Sequence, residues 1–260
     1  MKPLAEMRGA ERLRGLLFDI DETLTTDGRL TAQAYAALER FKRAGRIAIA
    51  VTGRPAGWCD HIARMWPLDA VVGENGAFYF RYDKGKLHKR FYDADAVRAG
   101  KRARLAAIGS RILAAVPGCA LASDQPYREA DLAIDYCEDV APLPLATAEH
   151  IVVLMREAGL NARISSIHVN GWFGDYDKLA MSRVLLTEEF ATDLDAANAQ
   201  FAYAGDSPND APMFGYFLNS VGVANIARFA GHLTAAPKYV TRSESGAGFA
   251  ELVTHLLGQR

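Results

Sequence analysis

Cysteine is scarce in this sequence. The three that occur, Cys59, Cys119 and Cys137, are far apart, odd in number and free of any CxxC pair. That argues against a disulfide framework or a structural zinc site and fits a reducing compartment. Long apolar runs are missing too, and nothing approaches the ~18 residues that a membrane span requires. The opening stretch MKPLAEMRGAERLRG carries charge but no apolar segment of the kind that marks a secretory leader. The expected location is therefore the cytoplasm, with no membrane partner. A surplus of one charge is absent as well. Lys and Arg number 30 against 31 Asp and Glu, so no general attraction to nucleic acid or anionic lipid is expected. No internal repeat or low-complexity tract interrupts the chain.

What is present is an ordinary supply of core-forming residues. Half of the 260 residues are hydrophobic and 23% are charged, enough for one large domain or two modest ones. Short apolar runs alternate with stretches of helical spacing, which reads as α/β. Leu16–Phe18, Ile47–Val51, Val71–Val72, Phe201–Ala204 and Val221–Val223 read as buried strands. Thr31–Ala44, Asp177–Phe190, Pro208–Phe217 and Gly248–Leu257 read as helices. Phe78–Phe80 and Leu87–Tyr92 flank a turn at Asp83-Lys84-Gly85. The middle differs: a long basic helix over Ala94–Val116, a strand at Leu132–Tyr136, a helix over Thr147–Ala158 and one strand over Ala162–Asn170. The pattern predicts a doubly wound α/β core, residues 1–81 and 172–260, interrupted by an inserted domain over 82–171.

Three strand ends carry polar groups. Asp19-Ile20-Asp21-Glu22-Thr23 follows the first apolar strand, and residues i and i+2 of an extended chain point to one side. Ligands of open α/β sheets bind beyond the carboxyl ends of strands. Two carboxylates there can divide nucleophilic and proton-transfer work, and they offer oxygen to a hard cation such as Mg²⁺. A solvated turn is the alternative. Thr52 and Gly53, ahead of Arg54-Pro55, suit an anion cradle or a plain helix cap. Asp206, Asn209 and Asp210 sit at a third strand-to-helix turn, where capping by acids is itself favourable. Lys178 opens a helix and by itself reads as an ordinary surface lysine.

Together these segments resemble the haloacid dehalogenase superfamily of phosphatases. Its motifs run DxDxT, a strand-terminal Thr or Ser, a Lys, then GDxxND. Here they are Asp19-Ile20-Asp21-Glu22-Thr23, Thr52, Lys178 and Gly205-Asp206-Ser207-Pro208-Asn209-Asp210. Glu74-Asn75-Gly76-Ala77 and Tyr239-Val240-Thr241 before Gly246 look like subclass IIB, which has a large cap between the second and third motifs. That subclass includes Cof-like, sucrose-phosphate and mannosyl-3-phosphoglycerate phosphatases. The resemblance implies a mainly parallel Rossmann-like core with an inserted α+β cap. It also implies a phosphomonoester hydrolase that works through an aspartyl phosphate on a sugar phosphate or similar small metabolite. Asp19 is then the nucleophile and Asp21 the acid/base. Mg²⁺ is held by Asp19, the backbone of Asp21 and Asp206, with Asp210 in support. Thr52, Gly53, Lys178 and Asn209 hold the phosphoryl group. Glu22 departs from the usual Gly.

The insertion is a natural lid. Ser166, His168 and Asn170 alternate along an expected strand and can share a face, while Arg128 lies in a polar cluster with Asp124, Gln125 and Tyr127. Arg128, His168 and Asn170 are the expected substrate contacts, with a solvated sheet face as the alternative. Other readings of the whole chain are a phosphomannomutase-like transferase, suggested by Tyr176-Asp177-Lys178, and a non-catalytic phosphometabolite-binding protein. A monomer or small homo-oligomer is expected.

Overall fold

The computed structural model describes residues 1–258. Its first part holds a two-residue edge strand β1 (Lys2–Pro3), then β2 (Gly15–Phe18), α1 (Ala32–Arg43), β3 (Ile47–Val51), α2 (Ala56–Met65) and β4 (Ala70–Gly73). A hairpin of β5 (Phe78–Asp83) and β6 (Lys86–Phe91) follows. The middle comprises α3 (Asp95–Ala115), β7 (Ala120–Leu121), β8 (Asp131–Asp135), α4 (Leu145–Glu157), β9 (Asn161–Ile164) and β10 (His168–Trp172). The last part runs α5 (Lys178–Phe190), α6 (Leu194–Ala197), β11 (Phe201–Gly205), α7 (Ala211–Tyr216), β12 (Ser220–Gly222), β13 (Tyr239–Val240) and α8 (Ser245–Leu256).

The helices begin and end where local chemistry dictates. The Thr31 hydroxyl accepts from Ala34 N–H to cap α1, whose last turn holds Arg40, Lys42 and Arg43 against the dipole. Asp177 caps α5 by accepting from Ala180 N–H. The nine strands of the large sheet order as β1-β13-β12-β11-β2-β3-β4-β5-β6. Pairing is parallel from β1 to β4 and antiparallel from there to β6. The central strands are apolar on both faces because helices cover both. One face packs Leu16, Phe18, Ala48 and Ala202 with residues of α1, α2 and α8. The other packs Leu17, Ile49, Phe201 and Tyr203 with Met181 and Leu185 of α5 and Met213 of α7. This is the doubly wound α/β architecture the sequence predicts.

The second sheet, β7-β8-β10-β9, is antiparallel. Its Leu132, Ile134 and Val169 face α3 and α4, where they pack on Leu105, Ile112, Ile151 and Met155. By alternation the opposite face carries Asp131, Ala133 and Asp135 of β8 beside Trp172, Asn170 and His168 of β10. We call this unit the cap.

Three expectations need correction. The 78–91 hairpin belongs to the large sheet, so the insertion does not start at 82; the segment outside that sheet begins after Phe91, and Trp172 pairs within the cap. The exposed strand β6 is polar in composition, and nothing in it reveals which sheet it joins. The 162–170 stretch is two strands, with Ser166 in the turn between them. Ser165 makes that turn without Gly or Pro, its hydroxyl accepting from His168 N–H at 2.9 Å. Residues 208–217 form a 3₁₀ turn and then the short α7 rather than one helix.

Candidate active site

The strand order reverses between β2 and β11, and the site is built at the carboxyl ends of these two strands. Asp19 leaves β2 with its N–H on the carbonyl of Ala204 at 2.9 Å. One carboxylate oxygen from each of Asp19, Asp206 and Asp210 lies within 4.8 Å of the others, and all three residues are buried. Gly205 makes this possible, since a Cβ there would stand 2.3 Å from Asp210 Oδ2. Lys178, the first residue of α5, brings its Nζ to 2.7 Å from Asp210 Oδ1 and 3.2 Å from Asp19 Oδ1.

The three acids are not equivalent. Asp210 is saturated: Oδ1 accepts from Lys178 and from the Tyr203 hydroxyl at 2.5 Å, and Oδ2 accepts from the N–H groups of Asp206 and Ser207. Asp206 has only neutral partners, Thr23 Oγ1 at 3.3 Å and Asn225 Nδ2 at 3.2 Å. Burial raises its carboxyl well above the usual range, and the charges of Asp210 and Asp19 add to the rise. Burial likewise lifts Asp19 to about 8, with Lys178 opposing and Asp210 and Asp21 reinforcing. One ammonium does not balance three buried carboxylates. Asp206 and Asp19 therefore fit a hard cation, and Asp210 holds the frame around it.

Asp21 behaves differently. β2 ends at Phe18 and a turn begins at Asp21, whose side chain reaches Arg54 on the wall of the same cleft. Its carboxylate accepts from Arg54 Nε at 2.9 and 3.0 Å. The same guanidinium reaches Glu138 of the cap at 2.6 Å and Asp124 at 3.4 Å, and it lies over the Trp58 ring at 4.4 Å. Thr52 Oγ1 accepts from Arg54 N–H at 3.0 Å, which leaves its own proton to donate. Glu22 takes up a left-handed conformation, φ 53. Its side chain accepts from Gly28 N–H and the Ser245 hydroxyl, tying the loop to the start of α8.

A narrow cleft, with only about 10 Å³ of free space, is lined by Asp19, Asp21, Gly53, Arg54, His168, Asn170 and Asn209, with Ser165 and Ile167 completing it. Two of the three expected cap contacts therefore face the acids. Arg128 does not. Its guanidinium is fully buried, held by Asp124 and Asp131, and it donates to the Gly53 carbonyl at 2.8 Å. Arg128 ties cap to core; sequence shows its charge but not the two carboxylates that consume it. Sequence reading assigned no role to Arg54, Glu138 or Asn225. Arg54 had a signal in its place beside Thr52-Gly53, whereas Glu138 and Asn225 had none.

Glu74 is a second tie. Fully buried, it accepts from Ala56 N–H on the core and from Glu129, Ala130 and Asp131 N–H on the cap. Neighbouring Gly76 is at φ 111, and a Cβ there would lie 2.1 Å from the Asp177 carbonyl. Glu74→Gln presents an NH₂ group where an acceptor is needed. It is expected to lower unfolding free energy by about 2–4 kcal/mol, as two buried donors lose their partner. Urea denaturation measures this, and an unchanged midpoint would exclude the tie.

Residues 16–99 match the family model of haloacid dehalogenase-like hydrolases. No curated protein matches the sequence. Solved structures resemble the whole chain in fold. The C-terminal domain of trehalose-6-phosphate phosphatase from C. albicans aligns with a TM-score of 0.70 at 12% identity, covering 99% of both chains. Sucrose-phosphatase from Synechocystis, solved with sucrose and phosphate, aligns at 0.64 and 16%, covering 94% of this chain and 98% of its own. A phosphatase of the haloalkanoate (HAD) enzyme superfamily from Bacteroides thetaiotaomicron aligns at 0.61 and 19%, covering 96% and 97%.

Proposed function

We propose, from the premise that this chain is a haloacid dehalogenase-like hydrolase, that it hydrolyses phosphomonoesters of small polyhydroxylated metabolites through a phosphorylated Asp19. The observation that carries this reading is the contrast between two carboxylates in one cleft. Asp19 lies in the acid cluster, 3.2 Å from Lys178, and Asp21 lies across the cleft on Arg54. Asp19 attacks phosphorus, and the bond to the leaving oxygen breaks as Asp21 delivers its proton there. Asp21, now ionised, takes a proton from water, which attacks the phosphorus and releases phosphate from Asp19.

Asp19, Asp206 and the backbone carbonyl of Asp21 would hold Mg²⁺. The Asp21 side chain is committed to Arg54, and Asp210 keeps Lys178 and the 206–207 turn in place. The ion, when bound, supplies positive charge that lets a carboxylate approach a phosphate dianion. Lys178 adds a second positive charge, and Thr52 Oγ1, Gly53 N–H and Asn209 supply neutral donors.

The substrate class follows from the cap wall. Arg54 and Arg128 are each matched by carboxylates, so among the described residues no free cation in the cleft awaits a second acidic group. His168, held beside Glu138, and Asn170, whose Nδ2 donates to Asp131, line the cleft with imidazole and amide groups suited to hydroxyls, and the similarity to enzymes described as acting on sucrose and trehalose phosphates agrees. The test is phosphate release with Mg²⁺ across phosphorylated metabolites. Sugar phosphates are expected to exceed phosphorylated acids in kcat/KM by tenfold or more; preference for a phosphorylated di-acid would overturn the substrate class.

A further inference from the structure

The Asp21 carboxylate has one donor among the described residues, Arg54. Its orientation therefore depends on where that guanidinium is held. An arginine side chain has many rotamers, and it is fixed only when both edges of its planar head are engaged. Arg54 is engaged on one edge by Asp21 and beneath by the Trp58 ring. The other edge belongs to the cap: Glu138 receives Nη2 at 2.6 Å and Nη1 at 3.3 Å, while Asp124 takes Nη1 at a long 3.4 Å.

Glu138 is presented by the cap's own structure. The Asp135 carboxylate accepts from the N–H groups of Cys137, Glu138 and Asp139 at 2.8–2.9 Å, which sets the turn. His168 Nε2, across the sheet, lies 2.8 Å from Glu138 Oε2. Burial alone would raise the Glu138 carboxyl, but the contacts with His168 and Arg54 bring it down to about 2. It thus meets Arg54 as an anion.

We infer that Glu138 is a positioning residue that acts through Arg54, so that seating the cap orders the Asp21 carboxylate along the leaving-group oxygen. The inference rests on the phosphatase reading. It makes chemistry conditional on closure: a cap lifted away takes Glu138 and Asp124 with it and leaves Arg54 held by Asp21 alone.

A misplaced general acid harms only leaving groups that need a proton. Phenyl phosphate and 2,4-dinitrophenyl phosphate share the phosphoryl group and lack sugar hydroxyls, so direct contacts of Glu138 with a sugar play no part. General acid catalysis contributes roughly 10²–10⁴ in rate. Glu138→Ala is therefore expected to lower kcat on phenyl phosphate by roughly 10- to 100-fold and on the dinitrophenyl ester by less than about 3-fold. Glu138→Gln, which keeps an acceptor oxygen of the same reach, should recover part of the loss. Arg54→Lys should show the same split, and adding Glu138→Ala to it should cost little more, because the two act as one unit. Thermal unfolding of each variant checks the fold. Equal losses on both esters, or a rise in KM at unchanged kcat, would overturn the inference while leaving the phosphatase reading intact. A wild type that hydrolyses neither ester nor any phosphorylated metabolite overturns both.

Discussion

Asp19→Asn is expected to abolish turnover, by roughly 10⁵-fold or more, the scale on which enzymes lose rate when the nucleophile is removed. An amide oxygen carries no full charge and is a poor nucleophile toward phosphorus. No neighbour replaces it: Asp210 is saturated by four donors, and Asp21 faces Arg54. Asp21→Asn should fail differently. It has no proton to give a sugar alkoxide, so natural substrates stop at the first step. With 2,4-dinitrophenyl phosphate the leaving group needs no proton, and Asp19 is still phosphorylated. Water attack then lacks its base, and the adduct persists. Mass spectrometry of the mixed protein should show one added phosphoryl group on Asp21→Asn and none on Asp19→Asn. Glu22 does not rescue the second step, because its carboxylate is engaged with Gly28 and Ser245. Adduct on Asp19→Asn would mean that the nucleophile lies elsewhere.

That division of labour was only half legible in the sequence. The pair Asp19-Ile20-Asp21 after an apolar strand marks a ligand site, and the alternation of strands and helices gives the doubly wound core. Both carboxylates line one cleft, as the alternation suggests. What the pattern does not show is that Asp19 joins an acid cluster while Asp21 meets an arginine. The partners of Asp21 are equally hidden. Arg54 is 33 residues away, and Glu138 a further 84, joined to it only because the cap seats on the core. Arg128 illustrates the converse. An arginine in a polar loop reads as an anion receptor until Asp124 and Asp131 are seen around it. The cap boundary was misplaced for a related reason, since a polar edge hairpin carries no mark of the sheet it extends. Periodicity reports which face is buried, not what buries it.

Removing the metal is expected to cost almost as much as removing the nucleophile, and stability provides a second readout. With excess chelator, turnover should fall by at least roughly 10³-fold, since Lys178 alone then faces both Asp19 and an incoming phosphate dianion. Asp206→Asn should give a similar loss and weaken Mg²⁺ binding, measured by calorimetry, by tenfold or more. Its effect on the fold should run the other way. Asp206 is buried with neutral donors only, beside two other carboxylates, so without metal it destabilises the fold through repulsion and desolvation. Asparagine keeps the shape and removes the charge. The metal-free variant should therefore melt higher than the metal-free wild type. Saturating Mg²⁺ should reverse the order: at a hundred times its Kd the ion stabilises the wild type by about 2.7 kcal/mol, and the variant responds little. A purely structural role for Asp206 predicts instead a variant that melts lower under both conditions. Undiminished turnover in chelator would remove the cation from the mechanism and leave the acid cluster to Lys178 alone.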